Sequence, residues 1–532
     1  MDFNDCLRSE AQPHLKLAKG EADVSLKLRQ QDRGWDEALL TTPLFTSATS
    51  ERLAANRDYD EGDKKSSIQY GLLGLRIQRP EGVSEEESLV YANVSAPWSA
   101  FICGSQGSGK SHTLSCLLEN ALLPSSPAGR LTSPLAGLVI HYDKFTAFSS
   151  TQLCEAAYLH SSGIPVRVLV SPTNFVAMKT AYGKLADGSK MLTVEPLYLP
   201  QKDLNTNMMK TLMGINSKAG QPLYIEVVMK ILRDMAIANQ GRAGFNYAEF
   251  KNKLANENFI KRQLGPLNMR LDVLESFFEP GSVPGAARPA NPPKKGSREI
   301  WKFSPKSLTI IDLSCPFVDP EDACALFNIA ASLFLKDRHQ TGRVVAMDEA
   351  HKFLNDTSPE AVELTETLLS MIRQQRRIAT RVLIATQEPT LAPALLELCN
   401  TTIIHRFSSP AWYKSIKSHI AGANDHFSGM KNGLDDDIFS KIVRLATGEA
   451  LVFCPTALLD YGKPQDKTSL TSCNGSRIPY DPGNSTESDD TETMQDTESN
   501  TDGPPLPLGP GYAHIRVRQR ITKDGGRSML EL

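Results

Sequence analysis

The chain has 532 residues, of which 40% are hydrophobic and 22% are charged, and its formal net charge is −3. This composition is typical of globular proteins and excludes collagen-like, coiled-coil and wholly disordered chains. The length predicts two or three domains. The near-neutral charge excludes a basic coat for nucleic acid over the whole surface, although it leaves local basic stripes open.

Cysteine usage and the apolar stretches indicate where the protein resides. Nine cysteines are scattered singly, with no Cys-x-x-Cys pair, which is typical of a reducing compartment. The first residues lack the charged and apolar regions of a secretory signal. The longest apolar stretch, residues 323–335, is shorter than the ~18 residues that cross a bilayer. We therefore expect a soluble intracellular protein, cytoplasmic or nuclear, without a membrane span.

The predicted elements begin near residue 70, because residues 1–65 show neither strand alternation nor a helical stripe and stay unassigned. Short apolar runs predict strands at residues 72–77, 88–94, 99–104, 135–141, 166–170, 308–313, 344–348, 381–386, 402–407 and 450–453. Most of these runs are continuous rather than alternating, and helix-length segments separate them. The pattern predicts an α/β fold whose mostly parallel central sheet is covered on both faces.

A helical region interrupts the strands, with its clearest helices predicted at residues 224–237 and 267–278. It indicates an inserted helical subdomain, which ends in the proline-rich linker 279–299. Residues 485–502 carry seven acids and no lysine or arginine, a composition that predicts disorder. The basic end that follows is predicted to be a solvated tail, or else to contact the acidic run or an anionic partner; its charges are Arg516, Arg518, Arg520, Lys523 and Arg527.

A glycine-rich segment lies between the apolar run at 99–104 and a helical pattern, and it matches G-x-x-x-x-G-K-[ST]. Glycines permit the tight path on which backbone N–H groups converge around a phosphate at a helix N-terminus. A lysine here reaches the β- and γ-phosphates and a serine hydroxyl ligates Mg²⁺, whereas a simple glycine-rich turn would need neither. We therefore expect ATP and Mg²⁺ as cofactors. The candidate residues are Gly104, Ser105, Gln106, Gly107, Ser108, Gly109, Lys110, Ser111 and His112.

An apolar strand ending in two acids supplies the second half of the predicted site. Asp348 is the candidate for holding Mg²⁺, and Glu349 is the candidate for polarising the attacking water. Such groups are expected at the carboxyl edge of a parallel sheet. A strand end with a helix-capping acid is the alternative, but the phosphate-loop pattern disfavours it.

Cationic and amide side chains after the acidic strand complete the candidate set. A helix predicted from Pro359 ends near Arg373, Arg376 and Arg377, which form a cationic patch. The next strand stops at Gln387, where a polar side chain can sense the γ-phosphate or orient water. A turn amide is the alternative for Gln387.

The motifs together resemble the HerA/FtsK superfamily of hexameric pumping ATPases, most closely its HerA branch. The matching pieces, in the family's order over residues 87–453, are GSQGSGKS, IIDLS, MDEAHKFL, RQQRRIATRVLIATQEPT, TTIIHR and GEALVF. The resemblance implies a RecA-like P-loop NTPase fold, a homo-hexamer, and DNA as a translocated partner. By position, the resemblance implies that Lys110 binds the nucleotide, that Ser111 binds Mg²⁺, and that Asp348 and Glu349 form the acidic pair. It also implies that Gln387 is the sensor and that Arg373 or Arg376 acts on the nucleotide of a neighbouring subunit. Arg406 matches a further family arginine.

Composition, periodicity and the order of the motifs divide the chain into predicted segments. Residues 66–150 begin the ATPase core with its phosphate loop, 151–300 form the inserted, mostly helical subdomain with its linker, and 301–460 complete the core. Residues 461–532 are the polar acidic tail with its basic end.

Three functions stay open at this point. The first is an ATP-hydrolysing ring motor that translocates DNA, the second is the same motor acting on protein, and the third is a nucleotide-dependent switch or scaffold. Glu349 favours turnover over binding alone, because binding needs no positioned base. The Asp-Glu-Ala-His string also occurs in superfamily-2 helicases, but too few residues follow Gln387 for the second nucleotide-binding-like domain of that class.

Overall fold

The structure is a computed structural model that describes residues 38–49, 69–80, 82–144, 152–200, 204–213, 223–239, 244–280, 300–336, 342–354, 358–389, 391–420, 434–461 and 505–523. Its strands are β1 (Leu44–Thr46), β2 (Tyr70–Arg76), β3 (Leu89–Asn93), β4 (Ser99–Cys103), β5 (Ser125–Ser126), β6 (Gly129–Arg130), β7 (Ala136–His141), β8 (Val166–Val170), β9 (Leu192–Pro196), β10 (Ser307–Asp312), β11 (Arg343–Met347), β12 (Thr380–Thr386), β13 (Thr401–Ile404), β14 (Glu449–Phe453), β15 (Leu458–Tyr461), β16 (Pro505–Pro507) and β17 (Ala513–Val517).

The helices flank these strands and connect most of the parallel ones. They are α1 (Lys110–Leu122), α2 (Phe175–Ala186), α3 (Thr206–Leu212), α4 (Leu223–Ala238), α5 (Tyr247–Ala255), α6 (Lys261–Ser276), α7 (Pro320–Lys336), α8 (Pro359–Ile378), α9 (Pro393–Leu398), α10 (Pro410–Lys417) and α11 (Leu434–Arg444). Short 3₁₀ helices cover Glu86–Ser88, Glu155–Ser162, Pro172–Asn174 and Ala350–Lys352. In the described part of the chain, no helix is both long and apolar enough to span a bilayer.

A parallel sheet forms the centre of the fold, in the strand order β13-β4-β12-β11-β7-β10-β8-β9. Every neighbouring pair in this series is parallel. All residues of β4, β7, β11 and β12 are buried, which explains their continuous apolar sequences. The predicted α/β class, with a mostly parallel central sheet of the RecA-like P-loop NTPase type, is confirmed.

Helices cover both faces of the sheet, so successive residues of a strand enter different cores. In β4, Phe101 and Cys103 belong to the core shared with α7, α8 and the helices of the insertion. Ala100 and Ile102 face the other core, which α1 and α2 cover. The carboxyl ends of β4, β7, β11 and β12 therefore meet at one edge, where α/β sheets bind ligands.

A mostly antiparallel extension, in which only β1 and β15 pair in parallel, continues the sheet beyond β13 in the order β14-β17-β2-β3-β1-β15-β16. Its first strand, β14, pairs antiparallel with both β13 and β17. The strand β1 lies in the segment that the sequence left unassigned, and it pairs with β3 and β15.

The basic end of the chain differs from the predicted solvated tail. Strand β17 is inserted between β14 and β2, and the side chain of Arg518, immediately after it, is only 8% exposed. This arginine reaches a buried glutamate of α1, so its charge belongs to the interior. The acidic run 485–502 lies outside the described residues.

The segment 151–300 also differs from the predicted, mostly helical insertion. Its first part supplies β8, α2 and β9, which complete the parallel sheet at its edge. Helices α3 to α6 follow, and α6 begins six residues before the predicted helix and includes Pro266. The linker residues 281–299 lie outside the described part of the chain.

Candidate nucleotide-binding site

The glycine-rich segment forms a tight loop between β4 and α1. Gly104, Gly107 and Gly109 have φ angles of 155°, 71° and 113°, a region that side chains rarely adopt. A Cβ on Gly104 would lie 2.7 Å from both the Cβ of His405 and the Oγ of Ser108. The loop therefore requires glycine at position 104 for space as well as for conformation. Because the first N–H groups of α1 have no intrahelical acceptor, they are suited to an anion held by the loop.

The residues after β13 support this loop from the neighbouring strand. The backbone N–H and the Oγ of Ser105 donate to the carbonyl of Arg406, at 2.8 and 2.9 Å. The ring of His405 is fully buried, with Nε2 2.9 Å from the Thr113 hydroxyl and Nδ1 2.9 Å from the Glu449 carbonyl. Burial lowers the pKa of His405 to about 4, so the ring is neutral and fixes the loop through ordinary hydrogen bonds. Sequence reasoning assigned this histidine no role, although it lies in the matching piece TTIIHR, because the partners that hold its ring are distant in sequence.

Lys110 begins α1 and points back across the loop. Its buried Nζ donates to the carbonyl of Ser105 at 3.0 Å. Burial lowers the pKa of Lys110, while the nearby carboxylates of Glu349 and Asp348 act in the opposite direction. The ammonium is thus close to both predicted acids and to the phosphate loop.

Asp348 lies immediately after β11, one strand removed from the phosphate-loop strand. Its Oδ1 is 3.4 Å from the Oγ of Ser111, although 237 positions separate the two residues. Burial raises the pKa of Asp348, and Glu349 raises it further, while His141 and Lys110 lower it. The structure thus brings the predicted lysine, serine and aspartate together at one edge of the sheet.

Glu349 adopts a left-handed backbone conformation, with φ at 53°, which is costly for a residue other than glycine and is common at functional sites. Its Oε1 accepts a 2.9 Å hydrogen bond from Nε2 of Gln387. Its buried Oε2 has no hydrogen-bond partner among the described residues, and it lies 3.4 Å from Nδ1 of His351. Burial lowers the pKa of His351, against the raising effect of Glu349. The predicted base and sensor are therefore in direct contact.

The predicted arginines lie elsewhere in the same chain. Arg373 and Arg376 are exposed on the last turns of α8, and the closest acid to Arg373 is Glu366 at 4.0 Å. Arg376 lines a surface groove with Trp98, which precedes β4. The groove is therefore at the amino edge of the sheet, opposite the phosphate loop, and neither arginine reaches the site of its own chain.

The remaining loop candidates differ in their surroundings. Gln106 is exposed, whereas His112 is half-buried, with Nε2 2.8 Å from the carbonyl of Arg518. His112 therefore contacts the C-terminal strand region rather than the phosphate loop. Arg406 supports the loop through its carbonyl, and its side chain is exposed.

The donor set suits a magnesium nucleotide. A hydroxyl and a carboxylate converge at Ser111 and Asp348, and oxygen ligands of this kind are those that Mg²⁺ prefers. Beside them lies a buried ammonium, and the loop has the path on which N–H groups cradle phosphates. The fold, with this loop at the carboxyl edge of the sheet, is that of the RecA-like P-loop NTPase class.

Comparisons with known proteins identify similar solved structures only. No protein-family model matches the chain, and no curated protein does. The structure of VirB4 of Thermoanaerobacter pseudethanolicus is 11% identical over 74% of this chain and 94% of its own, with a TM-score of 0.43. The genome packaging NTPase B204 from Sulfolobus turreted icosahedral virus 2, in complex with ATP-gammaS, is 13% identical over 29% of this chain and 64% of its own, with a TM-score of 0.20.

A third similar structure is the pCW3 conjugation coupling protein TcpA, in its monomer form with ATPgS. It is 11% identical over 74% of this chain and 66% of its own, with a TM-score of 0.25. Because identities and TM-scores are low throughout, these similarities assign no activity to this chain, and the function is argued from the site itself.

Proposed function

We propose that the chain is an ATP-hydrolysing P-loop ring motor of the HerA/FtsK type that translocates DNA. One observation carries the enzymatic part: residues far apart in sequence place a lysine, a serine and two acids at a single sheet edge, with Ser111 and Asp348 3.4 Å apart. The contact between Glu349 and Gln387 adds the parts that turnover needs beyond binding.

Binding is attributed to the loop and to three side chains. Loop N–H groups and the N-terminus of α1 would hold the phosphates, and Lys110 would move its Nζ from the Ser105 carbonyl to the β- and γ-phosphates. Ser111 and Asp348 would hold Mg²⁺. The ion, when bound, supplies positive charge that stabilises the negative charge developing on the phosphates.

Hydrolysis is attributed to Glu349 and Gln387. The Oε2 of Glu349, which accepts no hydrogen bond from the described residues, can accept a proton from the attacking water, while Oε1 stays held by Gln387. Gln387 thereby fixes the orientation of the carboxylate and can respond to the γ-phosphate, because its amide lies at the end of the strand next to the phosphate loop.

The position of the arginines supports assembly into a ring, for which the resemblance implies six subunits. Arg373 and Arg376 are exposed at the edge opposite their own site, so a role in hydrolysis requires a neighbouring subunit to receive them. An arginine supplied in trans can raise phosphoryl-transfer rates by about 10³ to 10⁵. Activity is accordingly expected to rise with ring assembly.

ATP turnover by Glu349→Gln and wild type tests the enzymatic part. We expect turnover to fall at least ~100-fold, as loss of a general base does, while the affinity for ATP is retained. Glu85→Gln, which changes an exposed carboxylate paired with Arg79, is the matched control and should hydrolyse ATP normally. A wild-type protein that binds ATP without turnover would instead indicate the switch or scaffold.

The cargo is tested separately. We expect duplex DNA to stimulate ATP turnover by the assembled ring, and rising salt to weaken the stimulation because phosphate contacts release counterions. A hexamer whose turnover is indifferent to duplex and single-stranded DNA would refute the DNA motor and leave the protein translocase.

A further inference from the structure

Asp348 belongs to a cluster of three buried side chains that could hold a metal ion. His141 ends β7, Cys154 precedes the 3₁₀ helix Glu155–Ser162, and Asp348 follows β11. All three residues are buried, and each offers one ligand atom within 4.8 Å of the other two. The proposed function uses Asp348 alone, so it leaves the imidazole and the thiol without a role.

The hydrogen bonds of His141 leave one of its ring nitrogens without a proton donor. Its Nε2 lies 3.2 Å from the carbonyl of Gln152, and because a carbonyl only accepts, Nε2 carries the ring proton. Nδ1 is then the unprotonated nitrogen, and it is buried without a hydrogen-bond partner in the described part of the chain. Histidines that ligate metals typically donate their other N–H to a carbonyl in this way.

The three atoms form a mixed ligand set of imidazole nitrogen, thiolate sulfur and carboxylate oxygen. Nitrogen and sulfur ligands suit Zn²⁺, whereas Mg²⁺ and Ca²⁺ prefer oxygen. Bond lengths of about 2.0 to 2.3 Å place tetrahedral ligand atoms roughly 3.3 to 3.7 Å apart, so a closing movement of about 1 Å would complete the site. Three protein ligands also leave a fourth position for water.

We propose that His141 Nδ1, Cys154 Sγ and the Asp348 carboxylate form a second metal site for a borderline-soft divalent ion of the Zn²⁺ type. Binding replaces the S–H bond of Cys154 by a sulfur–metal bond and releases the proton to solvent. No oxidant or reductant is needed. The site shares one ligand with the proposed magnesium site, so the two ions compete for Asp348.

This competition has a regulatory consequence that rests on the proposed function. An ion bound to the cluster would turn the Asp348 carboxylate away from Ser111 and from the triphosphate, and ATP hydrolysis would stop. Removal of the ion by a chelator would restore activity, because no covalent change to the protein has occurred.

Cobalt(II) absorption of the full-length, untagged protein tests the site without any need for activity. We expect wild type to bind one equivalent of Co²⁺ with the charge-transfer absorption of a metal–thiolate bond and the intense visible bands of tetrahedral cobalt, and Zn²⁺ to displace it. Cys154→Ser should lose the charge-transfer band, and His141→Gln should bind at least 10-fold more weakly. Cys324→Ser removes another buried thiol, which donates to the Phe353 carbonyl, and should keep both features.

The spectrum of wild type alone decides whether a thiolate binds the ion, so the test does not depend on the folding of the variants. A wild-type spectrum without charge transfer, or a band that persists in Cys154→Ser, would overturn the proposal. Inhibition of ATP turnover by Zn²⁺ then tests the consequence, and Cys154→Ser should require at least 10-fold more Zn²⁺. If the cobalt spectrum shows a metal–thiolate bond but the protein does not hydrolyse ATP, the proposed function is rejected and the proposed metal site is kept.

Discussion

Arg518 allows the sharpest test of how the C-terminal strand is held against the helix that follows the phosphate loop. Its side chain is 8% exposed and Glu119, its partner on α1, is fully buried, with Nη1 and Oε2 2.7 Å apart. Further hydrogen bonds run from Nε to the Leu72 carbonyl at 2.7 Å and from Nη2 to Asn120 Oδ1 at 2.9 Å. Arg518→Met would keep most of the side-chain volume and remove all of these donors.

The expected cost follows from the burial of the pair. Removing one partner of a buried ion pair costs about 3 to 5 kcal/mol, because the other charge is left uncompensated. Thr522 still donates to Glu119 from its hydroxyl and its backbone N–H, so we take the lower end, about 3 kcal/mol. At about 1.4 kcal/mol for each factor of ten, amides of α1 and β17 should exchange hydrogen more than 100-fold faster.

Arg516 is the matched control on the same strand. It pairs with Glu449 at 3.0 Å, but its side chain is 67% exposed, and exposed pairs contribute about 1 kcal/mol or less. Arg516→Met should therefore change exchange by no more than about fivefold. Hydrogen exchange is measured by mass spectrometry. Equal effects of the two variants would refute the claim that burial makes the Arg518 pair more stabilising than the Arg516 pair.

The pH dependence of the same pair has a defined sign. Burial alone would raise the pKa of Glu119, but hydrogen bonds from Thr522 and Arg518 hold it below its ordinary value of 4.5. A carboxylate with a lowered folded-state pKa stabilises the fold above the unfolded pKa, and it loses that contribution as the pH falls through the folded pKa. After correction for the intrinsic exchange rate, the protection factors of α1 amides should thus fall in wild type below about pH 4.5, and less so in Arg518→Met.

Further outcomes follow from the loop and its supports. Gly104→Ala should abolish ATP binding, because its Cβ would lie 2.7 Å from the Cβ of His405. Gly107→Ala has no atom within 4 Å of its Cβ, so it should weaken ATP binding only by the backbone strain of about 1 kcal/mol. Equal losses of ATP affinity in isothermal titration calorimetry would contradict the steric argument. Because the pKa of His405 drops from 6.5 to about 4 on folding, wild type should lose stability as the pH falls from 6.5 to 4, and His405→Asn should lack that dependence in urea unfolding. Gln387→Ala removes the donor to Glu349, so kcat should fall about 10-fold or more with little change in ATP affinity; an unchanged kcat would exclude the positioning role.

The core of the site could be predicted because its residues carry local patterns. Continuous apolar runs marked β4, β11 and β12, and the groups that follow them are brought together by the parallel arrangement alone. The contact of Ser111 with Asp348 is therefore a consequence of the parallel strand arrangement. The contact of Gln387 with Glu349 was not predicted, and it depends on the pairing of β11 with β12, whose ends carry the two residues.

The parts that sequence reasoning missed depend on partners far away in the chain. The sequence predicts that Arg518 belongs to a basic tail, because no acidic residue lies near it in sequence. Its partner Glu119 lies 399 positions earlier. The support given by His405 and the cluster of His141 with Cys154 likewise depend on tertiary contacts between single residues without a spacing motif. Arg373 and Arg376 show the converse: their position at the end of a helix, just before the next strand, already indicated the amino edge of the sheet, which is where the structure has them.

The central claim is that Ser111 and Asp348 hold the same Mg²⁺ on a bound triphosphate. A double-mutant cycle on ATP affinity, with and without Mg²⁺, tests it directly for Ser111→Ala, Asp348→Asn and their combination. We predict that each single variant loses the Mg²⁺-dependent gain in affinity while metal-free ATP binding stays unchanged, and that the double variant is no worse than either one. Losses that add independently, or an unchanged Mg²⁺ dependence in Asp348→Asn, would contradict the account.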